Sequence, residues 1–243
     1  FFFKQKTAYE MCGRDWSSDV CSSDLDTDLY EFDAITVNQK KVFDAWDDGD
    51  NVVMVGSAGT GKTFIALYLA LEEILDKSTV YDRIVIIRSV VPVRDMGFLP
   101  GTVEEKKSQY ETPYKYICEE LFRDGAAYSK LKNNKQIDFE TTSFIRGTTF
   151  QRTIIIVDEM QNLNFHELDS VMTRVGDHCR IIFCGDYLQS DFTHDNERDG
   201  VMKFLRIVDQ LKYFSVVTFG WDDIVRSGLV RDYIMTKEML GVK

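Results

Sequence analysis

Val52-Val-Met-Val-Gly-Ser-Ala-Gly-Thr-Gly-Lys-Thr63 is the stretch on which the reading of this 243-residue chain turns. A short apolar run ends at Gly56, a glycine-rich turn follows, and Lys62-Thr63 opens an amphipathic segment reaching about Ile74. Strand, loop and helix thus come in the order that a phosphate cradle requires. Gly56, Gly59 and Gly61 free the backbone so that the N–H groups of Gly56, Ser57, Ala58, Gly59, Thr60 and Gly61 can converge on a phosphate at the positive end of a helix. Lys62 then reaches the β- and γ-phosphates, and the Thr63 hydroxyl ligates Mg²⁺.

Outward from this loop, composition sets the bounds. With 44% hydrophobic residues the chain can bury one sizeable core, and a second nucleotide-binding lobe does not fit. No apolar run approaches the roughly 20 residues needed to cross a bilayer. The expectation is therefore a soluble, cytoplasmic protein without a membrane partner, since no signal peptide is legible. A formal charge of −11 argues against binding nucleic acid through overall charge, yet leaves room for a local basic channel. The five cysteines lack the spacing of a disulfide framework or a zinc knuckle, and Cys184 reads as an apolar filler in a buried strand.

Residues 1–25 stand apart. Lys4-Gln-Lys-Thr-Ala-Tyr-Glu10 and Asp15-Trp-Ser-Ser-Asp-Val-Cys-Ser-Ser-Asp-Leu25 resemble translated sequencing-adapter DNA, so the segment is read as non-native and disordered, and the domain as 26–243. The segment holds three basic and four acidic residues, so the charge argument survives its removal.

Further along, Thr36 is placed to cap a helix to about Trp46, and Asp47-Asp-Gly-Asp50 turns the chain into the loop strand. Gln39, one helix ahead of the loop, is a candidate reader of the adenine edge, with Tyr30 or Phe32 stacking on the base. Arg83-Ile-Val-Ile-Ile-Arg88 reads as a buried parallel strand. Thr102-Val-Glu-Glu105 opens a helical stretch to about Phe122, expected to break near Thr112-Pro113. Thr153-Ile-Ile-Ile-Val-Asp-Glu159 is a second buried strand ending in two carboxylates, as a Walker B strand does. Asp158 is assigned to Mg²⁺, with Thr63, and Glu159 to the attacking water. A third strand, Arg180-Ile-Ile-Phe-Cys184, ends in Gly185-Asp-Tyr-Leu-Gln189, where the Gln189 amide can report on the γ-phosphate. A helix near Gly200 to Leu211, a strand over Ser215 to Phe219 and a terminal helix through Asp223 complete the reading. The fold class is α/β: a mainly parallel sheet with helices on both faces, in a single domain.

Gly56 to Thr63, Ser89 to Arg94, Phe144-Ile-Arg-Gly147, Asp158-Glu-Met-Gln-Asn162, Gly185 to Gln189 and Asp223-Ile-Val-Arg-Ser227 together resemble the PhoH-like ATPases, in the compact form common in phages. Met160 stands where many relatives have a small residue. The resemblance implies a RecA-like core related to the first lobe of superfamily 1 helicases, hydrolysing ATP and acting on RNA, with Gln189 coupling hydrolysis to movement. Some relatives carry a PIN nuclease domain, for which this chain shows no spare length.

Readings of the activity and of the assembly follow. The first is Mg²⁺-dependent ATP hydrolysis through Lys62, Thr63, Asp158 and Glu159, with Arg88, Ser89, Arg94, Arg146 and Thr148 lining a path for single-stranded RNA. The alternative is a nucleotide-gated module that binds RNA or protein without motor activity, and a small-substrate kinase ranks last. The last concerns assembly: a one-lobe site needs a second face, so a homo-oligomeric ring, six subunits by resemblance, is expected. Arg226 is the arginine finger supplied in trans, with Arg231 in reserve.

Overall fold

The computed structural model describes residues 4–5, 29–89, 103–142, 145, 147, 149–186 and 195–241. Among them, six parallel strands make one sheet: β1 (Asn51–Gly56), β2 (Arg83–Arg88), β3 (Ile137–Thr141), β4 (Thr153–Asp158), β5 (Arg180–Gly185) and β6 (Phe214–Phe219), in the order β3-β2-β4-β5-β1-β6. A parallel sheet must be covered on both faces, which is why its strands read as nearly unbroken apolar runs.

The period of two then divides each strand between two cores. Val52, Met54, Ile84, Ile86, Ile154, Ile156 and Ile182 point to one face, and Val53, Val55, Val85, Ile87, Ile155, Val157 and Ile181 to the other. The first face is covered by α1 (Val37–Asp47), α2 (Lys62–Leu75), α3 (Val103–Phe122) and α4 (Ala127–Asn133), which contribute Trp46, Leu67, Tyr114 and Leu131. The second is covered by α5 (Phe165–Met172) and α6 (Asp195–Val208), through Leu168, Val171 and Phe204. A last helix, α7 (Gly228–Met239), buries no residue and carries Leu229, Tyr233 and Met239 outward.

Thr36 caps α1 as expected, its hydroxyl accepting from the Gln39 N–H. Two expectations are corrected. The helix opening near Thr102 runs unbroken through Pro113, because the lost N–H bond is outweighed by the anchoring of Tyr114, Cys118, Leu121 and Phe122 in the first core. The terminal helix begins at Gly228, after a 3-10 turn at Trp221–Asp223, so Asp223 to Arg226 form a turn and not a helix face. Of residues 1–25, the described pair Lys4–Gln5 runs antiparallel to Tyr30–Glu31. Among the described residues no helix is long and apolar enough to cross a membrane.

Candidate nucleotide and metal site

In a parallel sheet every strand delivers its carboxyl end to the same edge, and β1, β2, β4 and β5 bring Gly56, Arg88, Asp158 and Gly185 there. The strand register sets Arg88 beside Asp158 and Val55 beside Gly185. Gly56 has φ +129°, and a Cβ on it would lie 2.0 Å from the Phe219 carbonyl oxygen of β6, so only glycine lets the loop leave the sheet here. Gly61, at φ 84°, turns the loop into α2 from the left-handed region.

The result is a cleft of about 810 Å³, within the usual range for small-molecule sites, whose floor is the loop from Ala58 to Thr63. Lys62 Nζ donates to the carbonyl oxygens of Gly56 (3.0 Å) and Ser57 (2.7 Å) and to the Thr60 hydroxyl (3.2 Å). Burial pushes its ammonium below the ordinary lysine value, against the pull of Asp186, Glu159 and Asp158. Thr63 Oγ1 donates to Asp158 Oδ1 at 2.9 Å, and the Tyr114 hydroxyl to Asp158 Oδ2 at 2.8 Å. Asp158 is 4% exposed.

Glu159 follows β4 directly, in the left-handed region at φ 52°, a conformation that non-glycine residues seldom adopt and that re-aims its carboxylate as the chain enters the 3-10 turn Met160–Asn162. Gln161 Nε2 donates to Glu159 Oε2, and Arg88 Nη2 stands 4.0 Å from Glu159 Oε1. Burial and then Asp158 push the Glu159 carboxyl above the usual range, partly offset by Arg88, Gln161 and Lys62. The Gln161 amide oxygen in turn accepts from the Asp186 N–H at 2.9 Å, so it ties the end of β4 to the end of β5. Met160, the departure in the quoted motif, is buried against the second core.

The two outlying candidates fall on the same cleft. Gln39 lines it at 1% exposure, with its amide oxygen accepting from Ile35 N–H (2.8 Å) and its nitrogen donating to the Thr60 carbonyl (3.2 Å). Phe32 sits in an aromatic cluster with Phe64 and Tyr68, at ring separations of 5.0 and 5.8 Å, and borders the cleft. Tyr30 carries the Arg123 guanidinium 4.0 Å over its ring.

Arg226 lines the cleft of its own chain. Its Cγ lies 3.0 Å from where a Cβ on Gly59 would be, and Val225 N–H donates to the Gly59 carbonyl at 3.1 Å. The turn after β6 thus folds back onto the loop. Arg88 faces Tyr114 and Glu159 within the cleft. Arg231 is 3.8 Å from Asp222. Gln189, Arg94, Arg146 and Thr148 lie outside the described residues.

Sequence reasoning missed Tyr114 and Asn38. Nothing local marks Tyr114 among the chain's 11 tyrosines, because its role is set by how α3 crosses the sheet. Asn38 donates to Asp223 Oδ2 at 2.7 Å, holding the turn that carries Arg226.

A phosphate loop leaving β1, with β5 between it and the strand that bears Asp158, is the arrangement of a RecA-like P-loop NTPase domain. The chain belongs to the PhoH-like protein family, whose model matches residues 31–237. It is 30% identical over 200 residues to the PhoH-like protein of Mycobacterium leprae, covering 82% of this chain and 56% of that protein. With the PhoH protein of Escherichia coli K12 it shares 31% over 180 residues, 73% of this chain and 50% of that one. The chain thus spans about half the length of these relatives. Among solved structures, the large terminase of a thermophilic bacteriophage overlaps 85% of the chain and 50% of its own, at 14% identity and a TM-score of 0.49.

Proposed function

We propose that this domain binds ATP in the cleft and hydrolyses it with Mg²⁺. The observation that carries the reading is the convergence of Thr63 Oγ1 on Asp158 Oδ1 at 2.9 Å, beside Lys62 and beneath a Glu159 held by Gln161. These hard oxygen donors fit Mg²⁺, which takes one or two protein ligands and completes its shell with water and phosphate. Thr63 and Asp158 would hold Mg²⁺ there, which would neutralise charge on the phosphates.

The residues of the chain supply the rest. Loop N–H groups and Lys62 orient the phosphates, and Lys62 exchanges its carbonyl partners for phosphate oxygens. Glu159 accepts a hydrogen bond from the attacking water and polarises it. Arg226 serves the phosphates of its own chain's nucleotide. Gln39 shapes the adenine end through Thr60, with Phe32 as the apolar wall. A nucleotide-gated binding module has no use for a water-directed carboxylate beside a metal ligand, so the held geometry of Glu159 favours hydrolysis.

Two finer readings go with this one. Single-stranded RNA is the proposed partner, contacted through phosphates by loops on the same sheet edge. The proposed assembly is a homo-oligomer, with a hexameric ring as its form, in keeping with the outward apolar side chains of α7. The test is phosphate release from ATP with and without Mg²⁺, in the parent and in Lys62→Ala, followed by titration with single-stranded RNA and DNA at two salt concentrations. Turnover lost without Mg²⁺ and in Lys62→Ala is the expected result; a parent that releases no phosphate with or without nucleic acid overturns hydrolysis, and no binding at low salt overturns the RNA partner.

A further inference from the structure

Helix α3 crosses the first face of the sheet and brings one phenol up behind Asp158, at the carboxylate end of the cleft. Tyr114 is 1% exposed, and its ring packs 6.0 Å from that of Phe139 on β3. Its hydroxyl donates to Asp158 Oδ2 at 2.8 Å while its oxygen faces the Arg88 guanidinium. Arg88 in turn approaches Glu159 at 4.0 Å. One side chain therefore joins the carboxylate assigned to the metal with the group that stands against the carboxylate assigned to water.

We infer that Tyr114 is a positioning residue of the nucleotide site: it fixes the rotamer of Asp158 so that Oδ1 is presented beside Thr63, and holds Arg88 against Glu159. The inference rests on the ATPase reading given above. The physical argument is one of orientation. A buried carboxylate with both oxygens engaged, Oδ1 by Thr63 and Oδ2 by Tyr114, has one orientation; with Oδ2 unpaired it can turn to seek another donor. Partners that hold a metal ligand from behind are worth about 10- to 100-fold in metal affinity. The neighbours of Tyr114 on α3, Pro113 and Tyr116, also line the cleft, so a change at this helix is felt at both its wall and its carboxylates.

The test uses Tyr114→Phe, which keeps the ring and removes the hydroxyl, with Phe139→Leu as a packing control that leaves the hydroxyl in place. Mn²⁺ affinity is measured in the presence of ADP by the paramagnetic signal of free Mn²⁺, a readout that needs no turnover and so stands even if the protein hydrolyses nothing. The expected result is Mn²⁺ binding weakened about tenfold in Tyr114→Phe, unchanged in Phe139→Leu, and ADP binding without metal equal in all three proteins. In the same variant, half-maximal phosphate release should move to about tenfold higher Mg²⁺. Mn²⁺ affinity within twofold of the parent, or an equal loss in Phe139→Leu, overturns the inference.

Discussion

Arg226 shows most clearly how far the meaning of a residue depends on the fold. Along the chain it lies far from the loop, yet in space it borders Gly59. The carboxylates nearest to it in sequence are already engaged, Asp223 by Asn38 and the Gly220 N–H, and Asp222 by Arg231. Arg226→Ala should lower kcat by at least about 10³ while the protein stays folded, the size expected of an arginine at the transferring phosphate. If, as proposed, each chain uses its own Arg226, mixing that variant with Lys62→Ala subunits should restore nothing; recovery of phosphate release on mixing would return the residue to a neighbouring subunit. Gln39 carries a similar lesson, since its amide, read as a base contact, also holds the Thr60 carbonyl of the loop.

At the scale of elements, one buried carboxylate anchors the turn between β6 and α7. Asp223 is 3% exposed; burial raises its pKa, but hydrogen bonds from Thr36, Asn38 and the Gly220 N–H outweigh this and leave it below the usual aspartate range. A depressed folded-state pKa gives stability that is present above the unfolded-state value and lost as pH falls through the folded one. Asp223→Asn should therefore unfold at lower temperature than the parent at neutral pH, by the equivalent of roughly 1–3 kcal/mol, and the gap should close in acid below the ordinary aspartate range. A gap that stays constant down to that acid limit, followed by thermal unfolding, would contradict the role given to the carboxylate. This turn also marks where the sequence stopped being legible. β1, β4 and β5 could be read because burial on both faces leaves apolar runs ending in Gly56, Asp158 and Gly185, and α1 because Thr36 is a good cap. Helix α5 was missed although Asn164 and Glu167 form a capping box, since its eight residues are too few to show a period. The continuity of α3 through Pro113 and the place of Tyr114 depend on contacts with β3 and β4, which no local pattern encodes.

For the molecule as a whole, the two-faced sheet turns separate stretches of sequence into one cleft: loop from β1, carboxylates from β4, Gln161 and Asp186 tying β4 to β5, Tyr114 from α3 and Arg226 from the turn after β6. The proposed activity depends on that cleft splitting ATP. Glu159→Gln tests this most directly, because it keeps the side chain's size and removes the charge that directs water. ATP affinity, by equilibrium titration with Mg²⁺, and steady phosphate release should be measured on the same preparation. The account predicts ATP affinity within a few fold of the parent and phosphate release reduced by at least about 10², the lower range for losing a positioned base; release at the parental rate with binding intact would remove Glu159 from the chemistry and contradict the site as drawn.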